Sequence, residues 1–239
     1  MDLPFFYTTE PIASKESAIL DEANSRHAIQ VLRLRDGDQI VLADGRGNLS
    51  NGVISASDKK RCTVTKLVTN HCQKRLPETV IAMSLLKNVN RFEWFLEKAT
   101  EFGMTKLQPL VCYRTEKTAF RRERLNQILV SAMLQSQQAW LPELADPVKF
   151  DDFVLATNIG NRFIAHCAPG EKDKFSDALQ NGNGPRLILI GPEGDFSVDE
   201  IRNARAHLFT PVSLGNTRLR SETAGVAAAC LMALQTAGE

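Results

Sequence analysis

The chain has 239 residues, 43% of them hydrophobic and 24% charged, with a formal net charge of +1. This excludes a disordered chain and a basic nucleic-acid coat protein. No apolar run is long enough to cross a bilayer, which excludes a membrane partner of that kind. In chain order, the opening MDLPFFYTTEP lacks a basic segment followed by an apolar core, so no signal peptide is expected and the protein reads as cytoplasmic. Residues 39–43 (QIVLA), 52–55 (GVIS) and 61–68 (RCTVTKLV) have β character and are separated by Gly/Asn/Asp turns, the pattern of a small barrel or sandwich over residues 1–72. Residues 73–78 (QKRLPE) read as a linker.

From Thr79 the rhythm changes to alternating strands and helices. Residues 79–86 (TVIAMSLL) predict a buried strand, and 91–102 a helix with apolar residues at 92, 95, 96, 99 and 102, ending at Gly103. A strand over 106–112 and a helix over 121–138 follow, then strands over 161–167 and 185–190. The next elements are a helix over 197–207 with a Ser197/Glu200 capping box, a strand over 211–214, and an Ala-rich helix over 221–234 that Ser221 can cap. Such alternation predicts a parallel α/β sheet covered on both faces, over residues 79–239.

Cys62, Cys72, Cys112, Cys167 and Cys230 are scattered and odd in number, as reduced thiols are. With His27, His71, His166 and His207 they never reach metal-ligand spacing, so no metal is expected. No phosphate loop, dinucleotide fingerprint or nucleophile elbow is present. Between Lys87 and Arg124 nine Lys/Arg face five acids, an excess that suits phosphate contact; the same residues also fit a solvated helix face laced with ion pairs. In residues 187–200 (LILIGPEGDFSVDE) a buried strand runs into Gly191 and Gly194 and then a capped helix. In residues 212–224 (VSLGNTRLRSETA) a strand runs into Leu214-Gly215, a loop with Arg218 and Arg220, and another helix. Glycines at strand ends let the backbone approach a ligand, and ligands of open α/β sheets bind at such ends. Each loop alone also fits an ordinary strand-to-helix turn.

GPEGDFS and SLGNTRLRSETA together resemble the C-terminal signature of the ribosomal RNA small subunit methyltransferase E family, of the SPOUT class. Residues 27–33 (HAIQVLR) are similar to the motif of that family's PUA-like barrel. Residues 91–93 (RFE) and 97–103 (EKATEFG) are similar to its first catalytic-domain helix. The chain departs from the family pattern at Asn88 and Asp195, where glycines are usual. It departs again at 134–138, where Leu134 and Gln138 replace the usual glutamate and basic residue.

The resemblance implies an α/β fold: a knotted SPOUT-type parallel-sheet methyltransferase domain preceded by a small PUA-like β-barrel. It implies methylation of uracil N3 in 16S rRNA, free or in the small ribosomal subunit, by a homodimer whose interface includes the last helix. The cofactor it implies is S-adenosylmethionine, expected to be held by Gly191, Glu193, Gly194, Leu214, Gly215, Leu219 and Arg220, with His166 at a neighbouring strand end. Arg220 is the expected stabiliser of negative charge on the uracil, and Glu222 a candidate base. Arg26, His27, Arg33, Arg35, Lys87 and Arg91 are the expected RNA contacts. A knotted ribose 2′-O-methyltransferase and an inactive RNA-binding assembly factor are the other readings; nucleoside products separate the first and cofactor binding the second.

Overall fold

The structure is a computed structural model that describes residues 3–182 and 184–236. It divides into two compact units: residues up to Lys74 with Val130–Leu141, and Arg75–Leu129 with the residues from Pro142 onward.

The first unit is built from β1 (Phe5–Tyr7), β2 (Ser17–Ile19), α1 (Glu22–Arg26), β3 (Gln39–Ala43), β4 (Asn48–Ala56) and β5 (Thr63–His71). They form a five-stranded sheet in the order β1-β3-β4-β5-β2, parallel only at β1–β3. Burial alternates along much of β4, as expected of a strand with one face in a core. That core joins Phe6, Ile12, Leu20, Ile40, Leu42 and Val64. Asp21 caps α1 by accepting the Asn24 N–H at 2.7 Å, and the helix continues into a π-helical turn at His27–Val31. The HAIQVLR motif therefore lies on a helical turn among strands, an element its lack of apolar periodicity concealed.

The second unit begins with β6 (Thr79–Ser84), α2 (Val89–Glu101), β7 (Lys106–Val111) and α3 (Arg122–Gln135), whose last turns count with the first unit. Then come β8 (Glu143–Leu144), β9 (Val148–Lys149), α4 (Phe150–Ala156), β10 (Asn161–Ala165), β11 (Asp173–Lys174), α5 (Phe175–Ala178) and β12 (Arg186–Ile190). Last are α6 (Val198–Ala206), β13 (Thr210–Ser213) and α7 (Ser221–Thr236). The sheet runs β11-β13-β10-β12-β6-β7-β8, with β9 also on β7, and every pairing is parallel. Its central strands β6 and β12 are buried throughout, because both faces are covered. One face packs Val80, Ala82, Leu187 and Leu189 on Phe150 and Phe196. After β13 the chain turns back, and α7 lies against α2 and over β6 and β12 instead of at the sheet edge. A knotted topology requires such a return.

Helix ends follow the expected chemistry. The Ser197/Glu200 capping box is present on α6. Helix α2 stops at Gly103, where the Gly103 and Met104 N–H groups bond to the carbonyls of Thr100 and Ala99. Strands β10 and β13 end one to two residues earlier than the sequence suggests, so His166, Cys167 and Leu214 stand in loops. Ser221 is the first residue of α7, not its cap; the Arg220 carbonyl accepts the Ala224 N–H at 2.8 Å instead.

Candidate active site

Three parallel strands end side by side. Ala165 of β10 is level with Ile190 of β12 and with Val212 of β13, so the loops that follow converge on one place. Between them is a cleft of about 800 Å³, lined by His166, Gly191, Glu193, Leu214, Gly215, Leu219 and Arg220 among others. Seven of the eight expected cofactor residues thus share one cavity. The eighth, Gly194, is not in the lining: its carbonyl accepts from Arg114 Nη1 at 2.6 Å, and the arginine stem packs beside its Cα.

The two glycine loops differ in what they need. A Cβ on Gly191 would press on the Phe196 backbone and ring at 3.1–3.3 Å, so this glycine serves the packing of the turn. Gly215, which lines the cleft, adopts φ +144° and has open space where a Cβ would be. The main chain there is open to close approach. Asp195 has φ +64°, a left-handed conformation that glycine adopts freely and aspartate tolerates. Its carboxylate accepts the Phe196 N–H at 2.8 Å and the Cys167 N–H at 2.7 Å, tying the first loop to the end of β10.

His166 faces the cleft half-buried, and neither buried ring nitrogen has a hydrogen-bond partner. Burial holds its pKa below the usual histidine value; the Lys172 charge adds to this, while Asp195 and the Ala168 backbone oppose it. The imidazole is therefore neutral near pH 7, a donor and an acceptor waiting for partners.

Arg220 is exposed and lines the cleft. Arg91, expected to contact RNA, lines the same cleft, and its Nε lies 3.5 Å from Oε1 of Glu222. Glu222 is 7% exposed, is not part of the lining, and its other carboxylate oxygen has no partner. Its carboxylate is thus directed at Arg91. Lys172, with no signal in the sequence, also lines the cleft, since only the β11–β13 pairing brings it there.

The other expected RNA contacts lie elsewhere. Arg26, His27, Arg33 and Arg35 are exposed on the first unit; Arg26 pairs with Glu22 at 2.6 Å and the His27 ring stands edge-on to Phe6. Lys87 is exposed on the second unit, its Nζ 2.7 Å from Glu116, a pairing that raises its pKa. Its backbone N–H is bonded by Glu193 at 3.0 Å. No helix is long and apolar enough to cross a membrane, and no group of three or more potential metal ligands is found, among the described residues.

Comparison with known proteins finds two family domains in order along the chain. An RNA methyltransferase PUA domain matches residues 20–67, and an RNA methyltransferase domain matches residues 73–233. The ribosomal RNA small subunit methyltransferase E of Synechocystis is 33% identical over 210 residues, 86% of this chain and 69% of that protein. A probable rRNA methyltransferase from Porphyromonas gingivalis is 35% identical with a TM-score of 0.89, covering 98% of this chain and 99% of that one. The methyltransferase E of Neisseria gonorrhoeae, solved bound to S-adenosyl methionine, is 26% identical with a TM-score of 0.87 and 97% coverage of both chains. Two family domains matched in order, on a parallel sheet whose glycine loops meet in one cleft, place this chain in the ribosomal RNA small subunit methyltransferase E family.

Proposed function

We propose that this protein methylates N3 of one uridine in 16S rRNA, with S-adenosylmethionine as the methyl donor. The observation that carries the reading is the meeting of both glycine loops, an unpartnered neutral His166 and three arginines, Arg91, Arg218 and Arg220, in one cleft. The cleft suits the donor: the main chain at Gly215 is open to contact, and His166 offers buried polar atoms without partners. When bound, that donor supplies a methyl group already activated by its sulfonium.

The remaining work belongs to the chain. Loop backbone at Leu214–Gly215 and the Leu219 side chain hold the donor's flat and apolar parts. Arg220 faces the base and stabilises negative charge on a uracil oxygen as N3 loses its proton. It remains charged at any working pH, so it does not take that proton. Glu222, instead of serving as the base, holds Arg91 toward the cleft. The proton leaves to solvent through the open mouth.

In this reading residues 1–72 are an RNA-binding PUA-like barrel that contacts rRNA or the assembling small subunit through Arg26, His27, Arg33 and Arg35. Residues 79–239 are the catalytic domain, and the protein acts in the cytoplasm as a homodimer. Within one chain, Gly225, Ala228 and Ala229 of α7 are buried. Ala227, Cys230 and the 68%-exposed Leu234 are left for a second copy. Mass spectrometry of 16S rRNA nucleosides from cells with and without the protein tests the function. 3-Methyluridine should be present only with it. A 2′-O-methylated nucleoside in its place, or no difference, overturns the reading.

A further inference from the structure

The second unit holds another cavity, of about 320 Å³, on the far side of the first turn of α2. Its floor is apolar: Leu85, Leu86, Phe92 and Leu125 are each at most 3% exposed. Its rim is polar, with Asn90, Arg121 and Arg124. The carboxylate in its wall, Glu93, is gripped by both arms of Arg124 at 2.5 and 2.7 Å. That bond, opposed by burial and helped by the charges of Arg124 and Arg121, holds the Glu93 pKa below the usual carboxylate range. The carboxylate is ionised and paired, and two guanidinium groups face one negative charge.

This cavity and the active-site cleft share a wall. Arg91 lines the cleft, while its neighbours Asn90 and Phe92 line the second cavity. Consecutive Cα atoms are about 3.8 Å apart, so both cavities flank a single helical turn. At the wall's start, the Lys87 N–H is bonded by Glu193, itself a residue of the cleft. Residues 87–90, along this wall, are all exposed.

We propose that the second cavity receives the base of an unpaired nucleotide next to the target in the same RNA strand. The role rests on the reading of the cleft as an RNA methylation site. An apolar floor with an aromatic member suits the face of a base, and a cationic rim suits its phosphate. A strand crossing the wall at Lys87–Asn90 places one base in the cleft and its neighbour in the cavity. Two splayed bases, instead of one, then define which uridine is presented.

Ala119 offers a clean test, because it is exposed yet lines the cavity. Ala119→Trp fills the space without altering a core residue. Affinity for an rRNA fragment is measured by filter binding, with abasic sites placed one at a time along the whole fragment. Calorimetry with S-adenosylmethionine checks that the variant retains its cleft. One abasic site beside the target should weaken wild-type binding about ten-fold, the scale of a lost stacking contact. Ala119→Trp should weaken binding to intact RNA by a similar factor, and combining the two should cost no more than either alone. Wild-type affinity in Ala119→Trp, or losses that multiply at every position, overturns the proposal. Arg121→Glu, which leaves the floor intact, should also lower RNA affinity and leave cofactor affinity unchanged; no loss of RNA affinity counts equally against the site. The scan reads affinity at every nucleotide, so it stands apart from which nucleoside is methylated. Absence of 3-methyluridine would overturn the function and leave the scan to decide the cavity.

Discussion

Asp195 occupies a left-handed position, φ +64°, in a turn where the family usually has glycine. Holding an ordinary side chain there costs about 1–2 kcal/mol, less for aspartate because its short polar side chain bonds locally. Here it accepts two backbone N–H groups, from Phe196 at 2.8 Å and from Cys167 at 2.7 Å. Asp195→Ala keeps the backbone strain and removes both bonds. At about 1 kcal/mol for each partly exposed bond, with the strain carried by both proteins, its loss should be at least about 2 kcal/mol. Asp195→Gly loses the same bonds and relieves the strain, so its loss should be about 1–2 kcal/mol. The expected order is wild type, glycine, alanine, and a domain of this size shifts by about 2–4 °C per kcal/mol. Thermal and urea denaturation of the three proteins reads that order. The Cys167 bond also joins two loops of the cleft, so cofactor affinity should fall in both variants by up to about five-fold, the equivalent of one such bond. Equal stability of the alanine and glycine variants would refute the strain. Unchanged cofactor affinity in both would refute the tie across the cleft.

Gly225→Ala should destabilise the second unit. The new Cβ would lie 2.6 and 2.7 Å from ring carbons of Phe95, which is 1% exposed and has no room to retreat. Overpacking of about 1–3 kcal/mol outweighs the gain in helix propensity of about 1 kcal/mol, and a denaturation midpoint at or above wild type would contradict this. Arg220→Ala should keep cofactor affinity and slow single-turnover methylation by about 10²–10³, with Arg220→Lys recovering only part. A rate within about two-fold of wild type removes Arg220 from the mechanism. His166 has a depressed pKa, so above the ordinary histidine value both folded and unfolded chains leave it neutral. As pH falls through that value the unfolded chain takes up the proton first, and the folded form loses stability. His166→Asn should flatten that acid-side loss in urea midpoints measured between about pH 7 and pH 5; an unchanged slope would show that the burial of His166 carries no such linkage.

The parts of the fold that were legible are those in which local pattern and final environment agree. Strands β6 and β12 are continuous apolar runs because they are buried on both faces. Helix α6 announces itself through a capping box that depends only on residues three apart. The two-residue strands β8, β9 and β11 carry too little pattern to be seen, and α4 is a short helix that fully buries just Phe150 and Val154, with Phe153 packed beside them. The cleft was half legible for a similar reason. Glycines after strands mark where ligands approach, whereas the presence of Lys172 depends on how strands far apart in sequence lie next to one another. Arg91 shows the limit most clearly. Its charge belongs to a basic stretch, which pointed to RNA, but packing of α2 on α7 brings it to Glu222 and the cleft.

Two of the departures from the family pattern are accommodated by the backbone around them. Asn88, in place of glycine, is the N-cap of α2 and accepts the Asn90 N–H at 3.0 Å, a task asparagine performs better than glycine. Asp195 occupies a left-handed turn and compensates with two bonds. At the end of α3, Gln137 has φ +55°, and the N–H groups of Gln137 and Gln138 bond back to the carbonyls of Leu134 and Met133. That is the bonding of a helix stop, with glutamine where glycine is usual. Gln138 therefore lies past the helix, in a turn fixed by backbone bonds, and Ser136 bonds the Ala132 carbonyl at 2.6 Å to complete the end. The exchanges at Asn88 and Asp195 are accommodated by local backbone geometry, and nothing in the structure explains those at Leu134 and Gln138. None of them removes Gly215, Arg220, Arg91 or His166 from the cleft. The residues that line the cleft and the residues that shape the turns around it are thus separable, and the turns can change while the lining is kept.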